Sequence, residues 1–348
     1  MESCDKIIGP EDRVLVTGAS GFIGERVVES LLRHGHRNIR CLVRPSGNKT
    51  KLEALSARIE IMSGNLLSRD HCARAADGVA VIYHLAAATG VDSFPDAFMN
   101  SVVTTRNLLD AVVKGQAARR FVNVSSFTVY QNRNNPSGKL LDETSPLEEH
   151  AHLRGDPYCY AKVKQEEIVK EYGQKFGVPY VILRPGVVYG PGKKQLVGRV
   201  GLGTFGVFLH LGGSNRIPLT YVDNCADAIV LAGTRKGIDG EAFNIVDDDL
   251  PTSRQVLRMY KRQVKRFNSV YVPRVVSYTL FALWERYSNR SQRQLPPVFN
   301  RLTWHAYWKG SEYSNDKLKR LVGWTPQIPT AEGLRRYIEG CRAGMQHA

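Results

Sequence analysis

Residues 156–167, DPYCYAKVKQEE, hold two interleaved Tyr-x-x-x-Lys pairs: Tyr158 with Lys162, and Tyr160 with Lys164. On a helix, four residues is about one turn, so each pair sets a phenol beside an ammonium. The chemistry open to such a pair is proton transfer. A free tyrosine has a pKa of about 10, and a neighbouring cation lowers it toward the range of a general acid or base. Tyr160 stands about 200° around the helix from Tyr158, so the two phenols cannot share a cleft. Asp156 can cap this helix and Pro157 suits its first position, which puts Tyr158 in the first turn.

A proton carrier needs elements that deliver it to a reacting centre. RVLVTGASGFIGERVVESLLRHG starts as a short apolar strand, Val14–Val16, and runs through a glycine-rich turn. A helical pattern follows, with Val27, Val28, Leu31 and Leu32 on one face, ending near Gly35. Gly18, Gly21 and Gly24 between strand and helix let a pyrophosphate approach bare N–H groups at a helix N-terminus. Ser20, Phe22 and Ile23 share that turn and are expected to touch the same ligand. The next strand, in IRCLVRPSGNKTKLE, ends where an adenosine ribose would lie. A carboxylate there would select NAD; this chain has Arg44, with Lys49 and Lys51 close behind. A guanidinium suits a 2′-phosphate, so NADP(H) is favoured over NAD(H), with Arg44 and Lys51 as its contacts.

Alternation continues. IEIMSGNL, AVIYHLAAA and RFVNVSSFTVY read as strands, with helices around 68–76 and 101–114. That pattern predicts an α/β fold with a doubly wound parallel sheet, whose ligands sit at the carboxyl ends of the strands. Asn65, Leu66, Ala86, Ala87, Ala88 and Ser125 fall at such ends. A long connection, about 131–156, precedes the Tyr158 helix and reads as a loop able to cover a substrate.

The 348 residues suffice for two lobes around a cleft, and 43% hydrophobic with 23% charged residues argues against global disorder. MESCDKIIGPEDR has no apolar core and carries acids, so it does not read as a signal peptide; a cytoplasmic protein is expected. The longest apolar runs are too short to span a bilayer as helices. Six cysteines, at 4, 41, 72, 159, 225 and 341, form no CxxC motif and suit independent reduced thiols; no metal site is expected. The net charge of +15 reads either as a solvated basic surface or as attraction to an anionic cofactor, substrate or membrane. Nucleic acid is not indicated, because the basic residues are spread out and no binding motif accompanies them.

TGASGFIG, HLAAA, VSSFTVY, YCYAKVKQEE, RPGVVYGPG, YVDNCADA and LVGWTPQIPTAEGL stand in the order of an extended short-chain dehydrogenase/reductase, of the epimerase/dehydratase type, and cover nearly the whole chain. The resemblance implies a Rossmann-type sheet over 1–185, with returning segments near 217–247, and a smaller substrate domain mainly in 186–348. In that family a Glu commonly follows the lysine by four residues. Glu166 does so for Tyr158 and Lys162, whereas Ile168 holds that place for the second pair. The resemblance therefore implies a Ser126–Tyr158–Lys162 catalytic set. Tyr158 would be the general acid/base, its pKa lowered by Lys162 and the nicotinamide charge. Ser126 would bond the substrate oxygen, and Lys162 would also hold the nicotinamide ribose. Pro185, Gly186 and Val187 would border the nicotinamide. Tyr160 and Lys164 would be packing and surface residues. Asn65 replaces the family's usual Asp at the adenine and can still accept a hydrogen bond. Relatives often dimerise through helices matching 101–114 and 158–175, so a homodimer is implied as an option.

The resemblance also bears on the reaction. Sugar-nucleotide dehydratases of this family carry an Asp-Glu pair just after the catalytic Ser/Thr; Phe127 and Thr128 stand there instead. Val187 replaces an Asn that contacts the substrate diphosphate in many sugar-nucleotide enzymes. LVRP and RPGVVYGPG resemble the hydroxysteroid dehydrogenase and dihydroflavonol reductase branches, which act on less polar alcohols and ketones. A secondary alcohol–ketone oxidoreductase is therefore the first expectation. A nucleotide-sugar epimerase is the alternative, with Arg286, Arg290, Arg293 and Arg301 as candidates for a sugar diphosphate. A non-catalytic NADP(H) sensor is a third reading. The substrate lobe is expected in 193–216 and 252–310. VPRVVSYTLFALWERYSNRSQRQLPPVFNRL, apolar then basic, reads as a packed helix, a pocket wall or a peripheral membrane contact.

Overall fold

The computed structural model describes residues 5–88, 90, 93–134, 136–193, 198–204, 206–291, 294–295 and 299–346. Its main sheet has seven strands: β1 (Val14–Thr17), β2 (Ile39–Val43), β3 (Glu60–Ser63), β4 (Val81–His84), β5 (Arg120–Val124), β6 (Tyr180–Pro185) and β7 (Ala242–Ile245). Their order is β7-β6-β5-β4-β1-β2-β3, and every neighbouring pair is parallel. The chain leaves β1 to one side for β2 and β3, then crosses to the other for β4. A crevice opens over the carboxyl ends at that reversal.

Helices cover both faces: α1 (Phe22–Arg33), α2 (Arg69–Ala76), α3 (Thr104–Gly115), α4 (Pro157–Phe176) and α5 (Val222–Thr234). Residues of α1 and α5 pack with Trp324 on one face of the sheet, and residues of α2, α3 and α4 on the other. This double cover explains why β1, β4 and β5 are buried along their whole length and lack a two-residue alternation. Full burial of each such Val, Leu or Ile is worth about 1.5–3 kcal/mol. In α4, Asp156 Oδ1 accepts the Cys159 N–H at 3.1 Å, and Pro157 occupies the first turn. Gly177, in the left-handed region at φ 66°, ends the helix.

The structure revises several element boundaries. The strand in RFVNVSSFTVY, expected to begin at Phe121 and end at Ser125 and Ser126, runs Arg120–Val124. Ser126 Oγ then accepts the Thr128 N–H at 3.2 Å, so the backbone leaves the ladder for a tight turn at Phe127–Val129. The helix expected from 101 begins earlier, as a wide π-helical turn over Phe98–Val103. The 131–156 connection is not a free loop. Leu140–Leu141 within it pairs in parallel with Glu312–Tyr313, and Asn132 Nδ2 donates to Ser311 Oγ at 3.1 Å.

Outside the main sheet, Gly201–Thr204, Val207–His210 and Ser269–Tyr271 form a three-stranded sheet. It is accompanied by α6 (Ser253–Gln263), α7 (Arg274–Arg290) and α8 (Arg301–Tyr307). Leu211, Phe281, Trp304 and Trp308 form a separate apolar cluster there. Cys41, Cys72, Cys159, Cys225 and Cys341 are free and buried; Cys4 lies outside the described residues. Among the described residues, no helix is long and apolar enough to cross a membrane.

Candidate active site

A cleft of about 840 Å³ lies over the carboxyl ends of the strands. Gly18 reaches it from β1, Arg44 from β2, Asn65 from β3, Ala86–Ala88 from β4, Ser125 and Ser126 from β5, and Pro185–Val187 from β6. Ser20, Gly21, Phe22, Ile23 and Gly24 form one end wall; Leu66, Tyr158 and Lys162 also border it. Lys51 does not. A short helix, Thr50–Glu53, turns its ammonium back to Glu25 on α1 at 2.6 Å.

The glycine turn leaves no room for side chains. Gly18 has φ +70°, and a Cβ on it would lie 2.9 Å from the Ala86 nitrogen. A Cβ on Gly24 would lie 2.0 Å from the Gly18 carbonyl oxygen. These contacts draw the first turn of α1 against β1. Gly21 caps α1 with no side-chain bond to the helix N–H groups, which are thus left for a ligand. The cradle fits the pyrophosphate of a dinucleotide. Arg44 stands exposed at the rim, and no carboxylate pairs with it among the described residues. Asn65 Oδ1 accepts the Leu67 N–H at 3.0 Å, which fixes the side chain and leaves one lone pair.

At the other end, Ser126 and Tyr158 both border the cleft. Lys162 is buried beneath them. Its Nζ donates to the Val124 carbonyl at 2.7 Å and lies 5.8 Å from the Tyr158 ring centre. Burial pulls the Lys162 pKa down to about 8 against the raising effect of Glu166. The Tyr158 phenol is pushed up to about 12 by burial, with Ser126 opposing. The lowering expected for Tyr158 rests on the nicotinamide charge together with Lys162. The ammonium is aimed at the strand carbonyl, so in this state desolvation outweighs it.

Tyr160 packs edge-on against Phe94 at 5.5 Å, and Lys164 pairs with Glu167 at 2.6 Å on the surface. Glu166 makes two bonds to Arg184 of β6, at 2.9 and 2.7 Å, and accepts from Ser125 Oγ at 2.6 Å. Burial works to raise its pKa, but Arg184, Ser125 and Lys170 together hold it below the ordinary carboxylate value. This pair pins α4 to the sheet one turn beyond Lys162. His84 completes the underside: its ring nitrogens lie 2.8 Å from Thr17 Oγ1 and 2.9 Å from Thr105 Oγ1. Burial, with the Lys162 charge, pushes the His84 pKa down to about 3, so it is a neutral connector.

The cleft also holds residues that sequence reasoning missed. Ser46, Gly47 and Asn48 follow Arg44, and that run of small polar residues after a strand was a usable signal. Asn100, Thr104, Lys193, Arg199 and Tyr307 also border it and carried no local signal. Tyr307, on α8, donates to Asp156 Oδ2 at 3.1 Å and lies between the guanidiniums of Arg154 and Arg199, 5.1 and 5.4 Å from its ring centre. The cap of α4 is thus tied to the C-terminal elements. Arg286, Arg290 and Arg301, the expected grip for a sugar diphosphate, do not border the cleft; Arg301 pairs with Glu285 at 2.8 Å. Arg293 lies outside the described residues.

Comparison with known proteins agrees with this geometry. The model of the NAD dependent epimerase/dehydratase family matches residues 14–246. An uncharacterized UDP-glucose epimerase of Bacillus subtilis is 31% identical over 258 residues, 67% of this chain and 76% of that protein. A 2-alkyl-3-oxoalkanoate reductase of Stenotrophomonas maltophilia is 26% identical over 338 residues, 93% of this chain and 98% of that protein. The crystal structure of UDP-glucuronic acid 4-epimerase from Bacillus cereus in complex with NAD shares the fold, with a TM-score of 0.70 at 22% identity over 95% of this chain and 99% of that one.

Proposed function

Because the chain belongs to the NAD-dependent epimerase/dehydratase family of extended short-chain dehydrogenases/reductases, and is thus an NAD(P)-dependent enzyme, we propose that it interconverts a secondary alcohol and a ketone with NADP(H). The observation that carries this reading is Ser126 and Tyr158 together on the cleft wall with Lys162 buried beside them, opposite a bare glycine cradle in the same cleft. The cradle would hold the pyrophosphate at Gly18–Gly24, Asn65 and Leu66 would flank the adenine, and Arg44 would bind a 2′-phosphate. When bound, the nicotinamide would supply or accept the hydride.

The protein's own residues handle the oxygen and its proton. Tyr158 donates its proton to the oxygen of a ketone undergoing reduction and takes it back from an alcohol undergoing oxidation. Ser126 donates a hydrogen bond to the same oxygen and stabilises charge that develops on it. Lys162, when protonated, would bring positive charge beside the phenol and would hold the ribose. Phe127 and Thr128, next to Ser126, bring no carboxylate, so the site lacks the acid and base for eliminating water. The likeness to 2-alkyl-3-oxoalkanoate reductase over nearly the whole chain supports a ketone as the reacting group.

Nucleotide-sugar epimerisation is the second reading. It is favoured by Lys193 and Arg199 on the cleft wall and by the likeness to a UDP-glucose epimerase. The deciding experiment is a screen of ketones and secondary alcohols followed by NADPH absorbance, with UDP-sugars examined for epimer formation. Net NADPH turnover supports the oxidoreductase. Epimer formation without absorbance change, and no turnover on any ketone or alcohol, overturns it.

A further inference from the structure

The outer face of α7 is apolar and uncovered. Val275, Val276, Leu280, Leu283 and Tyr287 are 48–78% exposed, while Ser277, Phe281 and Ser288 turn inward. Val276, Leu280, Leu283 and Tyr287 fall within about 60° of one another around the helix, forming a continuous stripe. The strand just before α7 adds exposed Val270 and Tyr271. Exposed apolar surface of this kind marks a contact site.

Charge identifies the occupant. From Thr252 to Arg301 the chain carries eleven lysines and arginines and one acid, Glu285: a net +10 of the whole chain's +15. Glu285 is already paired with Arg301. Among the described residues, no carboxylate pairs with Arg258, Arg262, Lys265, Arg266, Arg286 or Arg290. Arg286 and Arg290 sit on the exposed side of α7, flanking the stripe, and the Arg254 guanidinium lies 5.8 Å from the ring centre of Tyr271. A second copy docking through this face would set like charge against like around a two-fold axis. An anionic lipid surface suits both features: aliphatic and tyrosine side chains reach the acyl boundary while the arginines meet phosphates.

We propose that this face docks the protein on an anionic phospholipid surface, with α7 lying in the plane of the headgroups. The contact is peripheral, because no described helix is long and apolar enough to span. It also lies close to the cleft. On the inner side of α7, the Phe281 ring is 5.4 Å from Trp308, whose neighbour Tyr307 borders the cleft. A cleft one packed layer from the headgroups suits a substrate that partitions into lipid.

Sedimentation with vesicles tests this, using phosphatidylcholine alone and phosphatidylcholine with phosphatidylglycerol. The protein is expected to bind the phosphatidylglycerol vesicles, to bind phosphatidylcholine far more weakly, and to come off in high salt. Leu280→Asp with Leu283→Asp should weaken binding by about tenfold or more, since two exposed leucines that would enter the acyl boundary are replaced by charges. Arg286→Gln with Arg290→Gln should weaken binding to the anionic vesicles alone, with unchanged thermal unfolding. These arginines face solvent, so this pair carries the test even if the aspartate pair fails to fold. No binding of the unaltered protein to phosphatidylglycerol vesicles overturns the proposal. So does equal binding by the arginine pair, or self-association that the aspartate pair abolishes while neither form binds vesicles.

Discussion

Replacing Glu166 with Gln should loosen the catalytic helix and shift its pH behaviour together. The Glu166 and Arg184 side chains are 2% and 3% exposed and joined by two bonds. Removing one charge of such a pair leaves the other buried without compensation, at a cost of about 3–5 kcal/mol. For a chain of this size that corresponds to a fall in Tm of roughly 4–7 °C. Glu166 also opposes the burial that draws down the Lys162 pKa of about 8. Without that carboxylate, Lys162 should lose its proton at lower pH, and the alkaline fall in NADPH affinity should move down with it. The acid side works in the opposite sense. Because the folded pKa of Glu166 is depressed, its stabilisation is present above the unfolded value of about 4.3 and fades as pH falls through the folded value. Glu166→Gln should lack that component. Thermal unfolding and NADPH titration across pH measure both effects. A double variant, Glu166→Leu with Arg184→Met, should recover much of the stability lost by Glu166→Leu alone. A fall in Tm under about 2 °C, with an unmoved alkaline limb, would refute the reasoning.

Arg44→Asp should weaken NADP(H) binding by about tenfold or more while sparing NAD(H), since one charge-assisted contact to a 2′-phosphate is worth roughly 1.5–3 kcal/mol; calorimetry with both cofactors measures it, and tighter NAD(H) binding by the unaltered protein would contradict the assignment. The lowered pKa of buried Lys162 makes the folded state bind fewer protons than the unfolded chain between about 8 and about 10.4. Its contribution to stability therefore rises with pH across that window, by on the order of 3 kcal/mol. Comparison of pH-dependent unfolding with Lys162→Met isolates it from the buried cysteines, which act in the opposite sense. With Phe127 and Thr128 beside Ser126, no nucleotide sugar should yield a 4,6-dehydratase product, as checked by mass spectrometry.

The parts of the site legible in the sequence are those set by local chemistry. Gly18, Gly21 and Gly24 lie between an apolar strand and an amphipathic helix, and that setting, more than their spacing, located the cradle. Asp156 and Pro157 set the start of α4 and hence the register that separates Tyr158 from Tyr160. Residues brought in by tertiary packing were not legible. Arg199 and Tyr307 come to the cleft from elements whose sequence has no local pattern, and Tyr307 is placed by its bond to Asp156. The pairing of 140–141 with 312–313 spans about half the chain, so a segment that reads as a loop is in fact held. Lys51 was misplaced because proximity to Arg44 in sequence ignored the turn that carries it to Glu25. Burial of the Tyr158 phenol, which raises its pKa, is likewise a property of the assembled cleft and was not legible.

The most direct test of the central claim is turnover of Tyr158→Phe on one accepted ketone, beside Tyr160→Phe and with NADPH affinity measured for both. Tyr158→Phe removes one oxygen and keeps the ring, so NADPH should bind as before while turnover falls about 10²–10⁴-fold. Tyr160→Phe keeps the edge-on contact with Phe94 and should turn over near the unaltered rate. A dead Tyr160→Phe beside an active Tyr158→Phe would put the register off by two residues. Full activity in both would show that the proton does not pass through α4 at all.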